Sequence, residues 1–359
     1  MRKYGKAWAY DFTRIVQDRL RSWGFNTAGA YSSLPIVYQK RMPYIQCIRS
    51  SRGAPKPPAG AWNSPNLGGG ILWDVFRGDF DGADPGPQMG GGASDEWCIG
   101  YILDVQGRGE QPVDLGKDDI SYALGTLRQA YDPAVKVCAK TVFLDDLKAK
   151  YPAIAMLNAV WGTSYASWDA LLASRDTPDV KKAQDDLAAF TAKAFDTWFS
   201  KAAWGHRLFV GKGLYMGPLL EPANTSAAIA AAKHCSVLCY RLNWNSPAEF
   251  KLPDGLDSPV IIAEFGFAAL DRGMLAGNLP DQAARAAAYK QFMLDALKHP
   301  QIVGCHWSRF RDYPATGRAR DEANYNAGFV DAADTPYAEM IQAAREIGKT
   351  MYRTRLEAK

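Results

Sequence analysis

Short apolar runs and amphipathic helical stretches alternate along almost the whole chain, and this alternation limits the fold more than any single residue does. Strand-like runs fall at residues 25–31, 44–49, 98–104, 207–212, 236–242, 259–266 and 302–308. Helical periodicity occupies about 7–23, 120–131, 179–203, 225–234, 281–298 and 336–352. Strands separated by helices pair in parallel, because the crossover helix carries the chain back to the end it left. That pattern gives an α/β barrel or a doubly wound sheet. No GxGxxG follows a strand to open a helix, and no GxxxxGK followed by Ser or Thr occurs. These absences lower the nucleotide-binding sheet, and a (β/α)8 TIM barrel is expected.

Seven strand-like runs are evident where a closed barrel needs eight. The helix at 7–23 comes before all of them, so the first barrel strand is expected to be missing or irregular. The Gly-Gly-Gly-Ile-Leu-Trp segment at 68–73 is one candidate to complete the ring. Residues 52–92 are rich in Gly and Pro and read as a long loop over one mouth; loops of that length in compact domains are usually lids or binding loops. Residues 145–173, with Trp161 and Trp168, read as a helical excursion before the fifth strand. The chain is expected to form one domain over residues 1–359.

Composition narrows the partners. A formal charge of +4 with no Lys/Arg cluster favours neither nucleic acid nor an anionic membrane surface. The longest apolar runs fall far short of a membrane span, and residues 1–24 carry Arg and Lys throughout with no signal-like apolar core. A soluble chain is expected; a natural secreted or periplasmic form would need a leader outside this sequence. The six cysteines make no CxxC pair, and Cys235 and Cys239 have no zinc-spaced partners. They read as buried thiols, with no metal and no cofactor expected. The 11 Trp and 17 Tyr often neighbour Gly, Asn or Asp near strand ends. Aromatic faces there could stack on sugar rings while amides and carboxylates bind hydroxyls, although core filling explains the same residues.

The run Val260-Ile261-Ile262-Ala263 ends on a carboxylate, Glu264, followed by Phe265-Gly266-Phe267. A buried ionisable group is unfavourable unless it is paired or used, and the C-terminal strand ends form the catalytic face of a barrel. The two readings are a catalytic carboxylate and a structural ion pair. A second carboxyl group at another strand end would decide between them. The obvious place is the end of the run at 97–106, which supplies Asp104 and Gln106, with Glu110 further along.

Residues 19–27, the Asp104-Val105-Gln106 end, and Glu264 through Gly273 with its Leu270-Asp271-Arg272-Gly273 block resemble glycoside hydrolase family 50, the β-agarases. So do Gly304-Cys305-His306-Trp307, Thr316-Gly317-Arg318 and Asn324-Tyr325-Asn326-Ala327-Gly328-Phe329. The resemblance covers nearly the whole chain from Lys3. It implies a (β/α)8 barrel of the retaining-glycosidase clan, acting on the galactan backbone of agar, with a polysaccharide or oligosaccharide as partner. It also implies that Glu264 is the nucleophile at the end of the seventh strand. The family's acid/base glutamate closes an Asp-Asn-Glu triplet at the end of the fourth strand, where this chain has Gln106. An amide neither donates a proton as an acid nor deprotonates water, and general acid/base catalysis typically contributes about 10²–10⁴-fold.

Three explanations of Gln106 are open: an engineered Glu→Gln change, a natural glycan-binding pseudoenzyme, or another acid such as Asp104 or Glu110, or a good leaving group, in its place. Plant thioglucosidases of the same clan resemble the third. The chain departs from the family elsewhere too. Gly266 stands where His is usual, Lys212-Gly213 where a Ser-Arg pair follows the fifth strand, and Arg241 and Asn243 where Asn and Tyr follow the sixth. Hydroxyl pairing sets specificity, so a different galactan fits equally well. The expected substrate-binding residues are Asp104, Asn243, Trp244, His306, Trp307, Arg318, Asn324, Tyr325 and Asn326, with Tyr215 a weaker candidate. For His306 the alternative is a satisfied core histidine, for Trp307 plain packing, and for residues 324–326 a turn.

Overall fold

A computed structural model describes residues 3–49, 74–76, 95–104, 119–209, 213–242, 246–271, 279–317, 322 and 324–358, with only the backbone described at 48, 49, 103, 104 and 204–209. After helix α1 (Trp8–Ser22) and the short α2 (Leu34–Val37), strands β1 (Tyr44–Arg49) and β2 (Cys98–Asp104) pair in parallel. A block of helices follows: α3 (Ser121–Arg128), α4 (Ala139–Lys150), α5 (Ile154–Trp161), α6 (Trp168–Ala173) and the long α7 (Val180–Phe209). The chain then alternates through β3 (Leu214–Tyr215), β4 (Leu219–Leu220), α8 (Thr225–His234), β5 (Leu238–Arg241), β6 (Val260–Phe265), α9 (Gln282–Lys298), β7 (Ile302–Trp307) and α10 (Ala338–Glu357).

Every strand pairing is parallel, in the orders β1-β2-β3 and β4-β5-β6-β7. The short strands β3 and β4 lie either side of Met216–Pro218, and β3 pairs with β2 while β4 pairs with β5, so one stretch joins both sheets into a single ribbon. At the other edge the segment before β1 contributes a parallel bridge, Ala28 to Tyr44, and the Cys47 amide donates to the Ala30 carbonyl at 3.1 Å.

Most strand residues face either the interior or the helices, which is why the strands read as largely apolar runs; Val303 of β7, Leu214 of β3 and Ile99 of β2 are the exposed exceptions among the described residues. Ala30, Ile45, Ile102, Met216, Val237, Cys239, Ile261 and Ala263 form one interior cluster drawn from successive strands. Their neighbours in the alternation, Tyr101, Leu220, Tyr240, Val260 and Ile262, pack outward into the large core shared with the helices. A filled interior inside a helical coat is the TIM-barrel arrangement. Each such fully buried Val, Ile or Leu stabilises by about 1.5–3 kcal/mol. Among the described residues no strand precedes α1, and no pairing joins β7 to the segment before β1. The two edges still meet, because a Cβ at Gly29 would lie 3.3 Å from the Cβ of His306.

The fifth strand corrects the sequence reading. Residues 207–209 continue α7, and 210–212 lie outside the described residues. The strand stretch is instead 214–220. Helical phase carries the apolar face of α7 through Phe199, Ala202 and Ala203, so the run after it belongs to the helix. The true strand is disguised by Gly217, at φ +62°, and Pro218.

The helical block is fixed by buried polar anchors. Asp186 accepts from Lys150 Nζ at 2.6 Å, Trp161 Nε1 at 2.8 Å and Tyr151 Oη at 3.0 Å. The buried Lys140 ammonium donates to the carbonyls of Leu127, Gln129 and Ser174, satisfying helix ends that have no partner within their own helices. Most of the 52–92 loop and the 68–73 segment lie outside the described residues. Within that loop Asp74 accepts from the Ala139 amide at the start of α4, and Phe76 stacks on Phe190 at 5.4 Å.

Candidate functional site

Parallel strands deliver all their C-terminal ends to one mouth. At that mouth β6 carries a bulge. Tyr240 pairs with Ile262 but Arg241 pairs with Glu264, and Ile262 pairs with Cys305 but Phe265 pairs with Trp307. Both neighbouring strands therefore register one extra residue on β6. Ile261 and Ala263 face the interior, whereas Ile262 and Phe265 both face the helices, so the phase changes between 263 and 265. Strict alternation would send Glu264 toward the helices with Ile262; the bulge returns it to the interior side, at its rim. Bulges commonly re-aim a side chain in this way next to active sites.

Glu264 is met there by Arg241 from the end of β5. Arg241 Nε and Nη2 each stand 2.9 Å from the same oxygen, Glu264 Oε2. On its other side Arg241 Nη1 lies 3.8 Å from Oε1 of Glu221, the residue immediately after β4. Three successive strand ends thus present carboxylate, guanidinium, carboxylate. Burial works against the Arg241 charge, but Glu264 and Glu221, with Tyr31 adding to them, outweigh it and raise its pKa. Tyr31, half exposed at the end of the segment before β1, thereby belongs to the same mouth. The Glu264–Arg241 pair is only about a third exposed on each side, neither a dry interior pair nor a loose surface one.

Gly266, the departure from the family pattern after β6, lies against Ser308. A Cβ there would fall 2.5 Å from Ser308 Oγ, so Ser308, following β7, fills that space. His306, the inward residue of β7, lies against Gly29 inside the barrel. Burial pushes its pKa down to about 4, and its Nδ1 has no hydrogen-bond partner among the described residues. The ring is therefore uncharged at neutral pH. Trp307 faces the opposite way. Its ring packs edge-on against Phe265, Tyr289 and Phe329 at 5.2–5.6 Å, and its indole N–H donates to the Ala327 carbonyl at 3.0 Å. These contacts bolt β7 to α9.

Asn326, an expected sugar contact, is held within the loop after β7. It is 1% exposed, its Nδ2 donates to Asp312 Oδ2 at 2.6 Å and Tyr337 Oη at 2.7 Å, and its Oδ1 accepts from Gln282. Gln282 also donates to Asp271 at 2.7 Å, tying the loop after β6 to the loop after β7. The fully buried Arg285 completes the anchor by donating to the Asn326 and Gly328 carbonyls at 2.8 and 2.7 Å. Gly328 is needed for this close approach, since a Cβ there would collide with the Asp312 nitrogen. Asn324 Nδ2 donates to the Ala315 carbonyl at 2.6 Å, and Tyr325, part exposed, sits 5.9 Å from Tyr313 ring to ring. Tyr215 is buried in the sheet–helix layer and does not reach the mouth.

Asp104 closes β2 at the same level as Arg49 of β1, with only its backbone described. Gln106, Glu110, Asn243, Trp244 and Arg318 lie outside the described residues. The structure therefore brings Glu264, Arg241, Glu221 and Tyr31 together; of these the sequence marks Glu264 as the candidate nucleophile and Arg241 as a departure from the family pattern. Glu221 carried a usable signal, because Leu219-Leu220-Glu221 is again an apolar run closed by a carboxylate. Among the described residues no group of three or more His, Cys, Asp or Glu is arranged to hold a metal ion, and no helix is long and apolar enough to cross a membrane.

Fold and mouth together define a parallel α/β-barrel protein whose polar groups gather at the C-terminal strand ends. No family model matches the chain. It is 30% identical over 366 residues to Beta-agarase A of Vibrio sp. (strain JT0107), covering 95% of this chain and 36% of that protein. A solved exo-beta-agarase superposes with a TM-score of 0.79 at 26% identity, covering 98% of this chain and 48% of that one. The structure of PfGH50B gives 0.78 at 25% identity, covering 99% and 51%. The chain belongs to glycoside hydrolase family 50, the β-agarase-like group, and it spans 36–38% of the length of the curated relatives it matches.

Proposed function

We propose that this chain is a retaining glycoside hydrolase acting on an agarose-like galactan or its oligosaccharides, with Glu264 as nucleophile. The observation that carries this reading is the β6 bulge, which aims the carboxylate into the shared mouth in a chain resembling Beta-agarase A and a solved exo-beta-agarase. In the reaction Glu264 attacks the anomeric carbon to give a glycosyl-enzyme, which water then hydrolyses. A carboxylic acid at position 106 would protonate the leaving oxygen in the first step and deprotonate the water in the second; Gln106 does neither.

That amide favours a second reading, a glycan-binding barrel that does not turn over. One comparison separates the two: hydrolysis of agar-type oligosaccharides by this chain, by Gln106→Glu and by Glu264→Gln. A gain of about 10²–10⁴-fold in Gln106→Glu, abolished by Glu264→Gln, supports the enzyme. Tight sugar binding with no gain supports the binding barrel. Absence of galactan binding in every form removes the substrate assignment.

A further inference from the structure

We propose that Arg241 is a positioning residue for Glu264, holding Oε2 so that Oε1 is the oxygen presented to an anomeric carbon, and that Glu221 steadies Arg241 from the far side. This rests on the reading of Glu264 as nucleophile. The geometry is specific. Both donors on the Nε–Nη2 edge of the guanidinium converge on one carboxylate oxygen at 2.9 Å. The terminal torsion of a glutamate is broad and weakly held on its own, whereas a planar guanidinium edge bonded to one oxygen restrains it. The remaining Nη1 lies 3.8 Å from Glu221 Oε1. Strand register sets the three in a row: Leu220 pairs with Tyr240 one residue before Glu221 and Arg241, and Arg241 pairs with Glu264. A partly exposed ion pair contributes little stability, so its geometry rather than its energy is the feature with a consequence. Misplacing a reacting atom by about 1 Å costs on the order of 10²-fold in rate.

The test uses 2,4-dinitrophenyl 2-deoxy-2-fluoro-β-D-galactoside. Glu264 Oε1 forms a bond to the anomeric carbon, the bond from that carbon to the aryl oxygen breaks, and its electron pair leaves on dinitrophenolate. No proton is transferred, so the amide of Gln106 does not limit the step. Dinitrophenolate release gives the inactivation rate and the inhibition constant separately, and peptide mass spectrometry locates the label. The unaltered chain should be labelled on Glu264. Arg241→Met should slow inactivation about 100-fold with the inhibition constant little changed. Arg241→Lys, keeping charge without the flat fork, should recover part of the rate, and Glu221→Gln should lose about 5–10-fold by loosening the guanidinium. Inactivation of Arg241→Met at the unaltered rate overturns the proposal. If Arg241→Met fails to fold, rates equal to the unaltered chain in both Arg241→Lys and Glu221→Gln overturn it instead. No label on Glu264 in the unaltered chain sinks the nucleophile reading itself, and the positioning role with it.

Discussion

Acidification should expose His306 as a stability switch, and the size of the effect follows from its surroundings. The ring is buried inside the barrel against Gly29, its Nδ1 lacks a partner among the described residues, and its pKa falls from the ordinary 6.5 to about 4. The folded state thus keeps His306 neutral in a range where the unfolded chain protonates it. Unfolded molecules then bind more protons than folded ones, so stability falls as pH drops from 6.5 toward 4. Each tenfold rise in proton concentration across that interval costs about 1.4 kcal/mol, so the loss attributable to this residue is about 2 kcal/mol at pH 5 and about 3 kcal/mol at pH 4. Carboxylates titrate over the same range, so the measurement is a difference. Urea unfolding of the unaltered chain and of His306→Gln is compared at pH 7, 6, 5 and 4. The variant starts less stable through lost packing, and its deficit should shrink by about 3 kcal/mol between pH 7 and pH 4. A deficit constant across that range would show that protonated His306 is accommodated, and would refute the dry-interior argument.

Three further outcomes are expected. Gly328→Ala should cost about 1–3 kcal/mol in denaturant unfolding, because its Cβ has no room beside the Asp312 nitrogen and the Val330 carbonyl. Arg285→Met should cost about 3 kcal/mol by leaving the Asn326 and Gly328 carbonyls buried without their donors, with thermal unfolding as the readout. Lys140, whose pKa burial lowers to about 8 from 10.5, makes stability rise with pH across that interval, since the unfolded chain holds the proton longer; Lys140→Met should flatten that rise in unfolding measured from pH 8 to 10.5.

The sequence exposed the fold wherever one signal dominated. Helices α1, α8 and α9 begin and end within a residue or two of their periodic patterns, and polar caps such as Asn224 and Asp281 mark the starts of the last two. Strands β1, β2, β5, β6 and β7 are legible because packing against the interior and the helices makes each a short, mostly apolar run. The fifth strand was not, because Gly217 and Pro218 break its pattern while an apolar helix tail imitates a strand beside it. At the site, Glu264 could be named from its position after Ala263, but not its aim, since a bulge is an extra residue that only the neighbouring strands reveal. Asn326 and Trp307 were drawn to the mouth by residue type. What residue type does not reveal is their hydrogen bonding, to Asp312, Tyr337 and Gln282 for Asn326 and to the Ala327 carbonyl for Trp307.

The contact between Gly266 and Ser308 makes those two positions a single unit of variation. With 2.5 Å between the site of a missing Cβ and a hydroxyl that turns about a single bond, a methyl at 266 asks the Ser308 side chain to change rotamer. Changes there should be non-additive: Gly266→Ala turns the Ser308 hydroxyl aside, whereas Gly266→Ala with Ser308→Gly has no hydroxyl to turn. Libraries intended to reshape this mouth should therefore vary the pair together, because the residue at 266 decides which rotamers are open at 308.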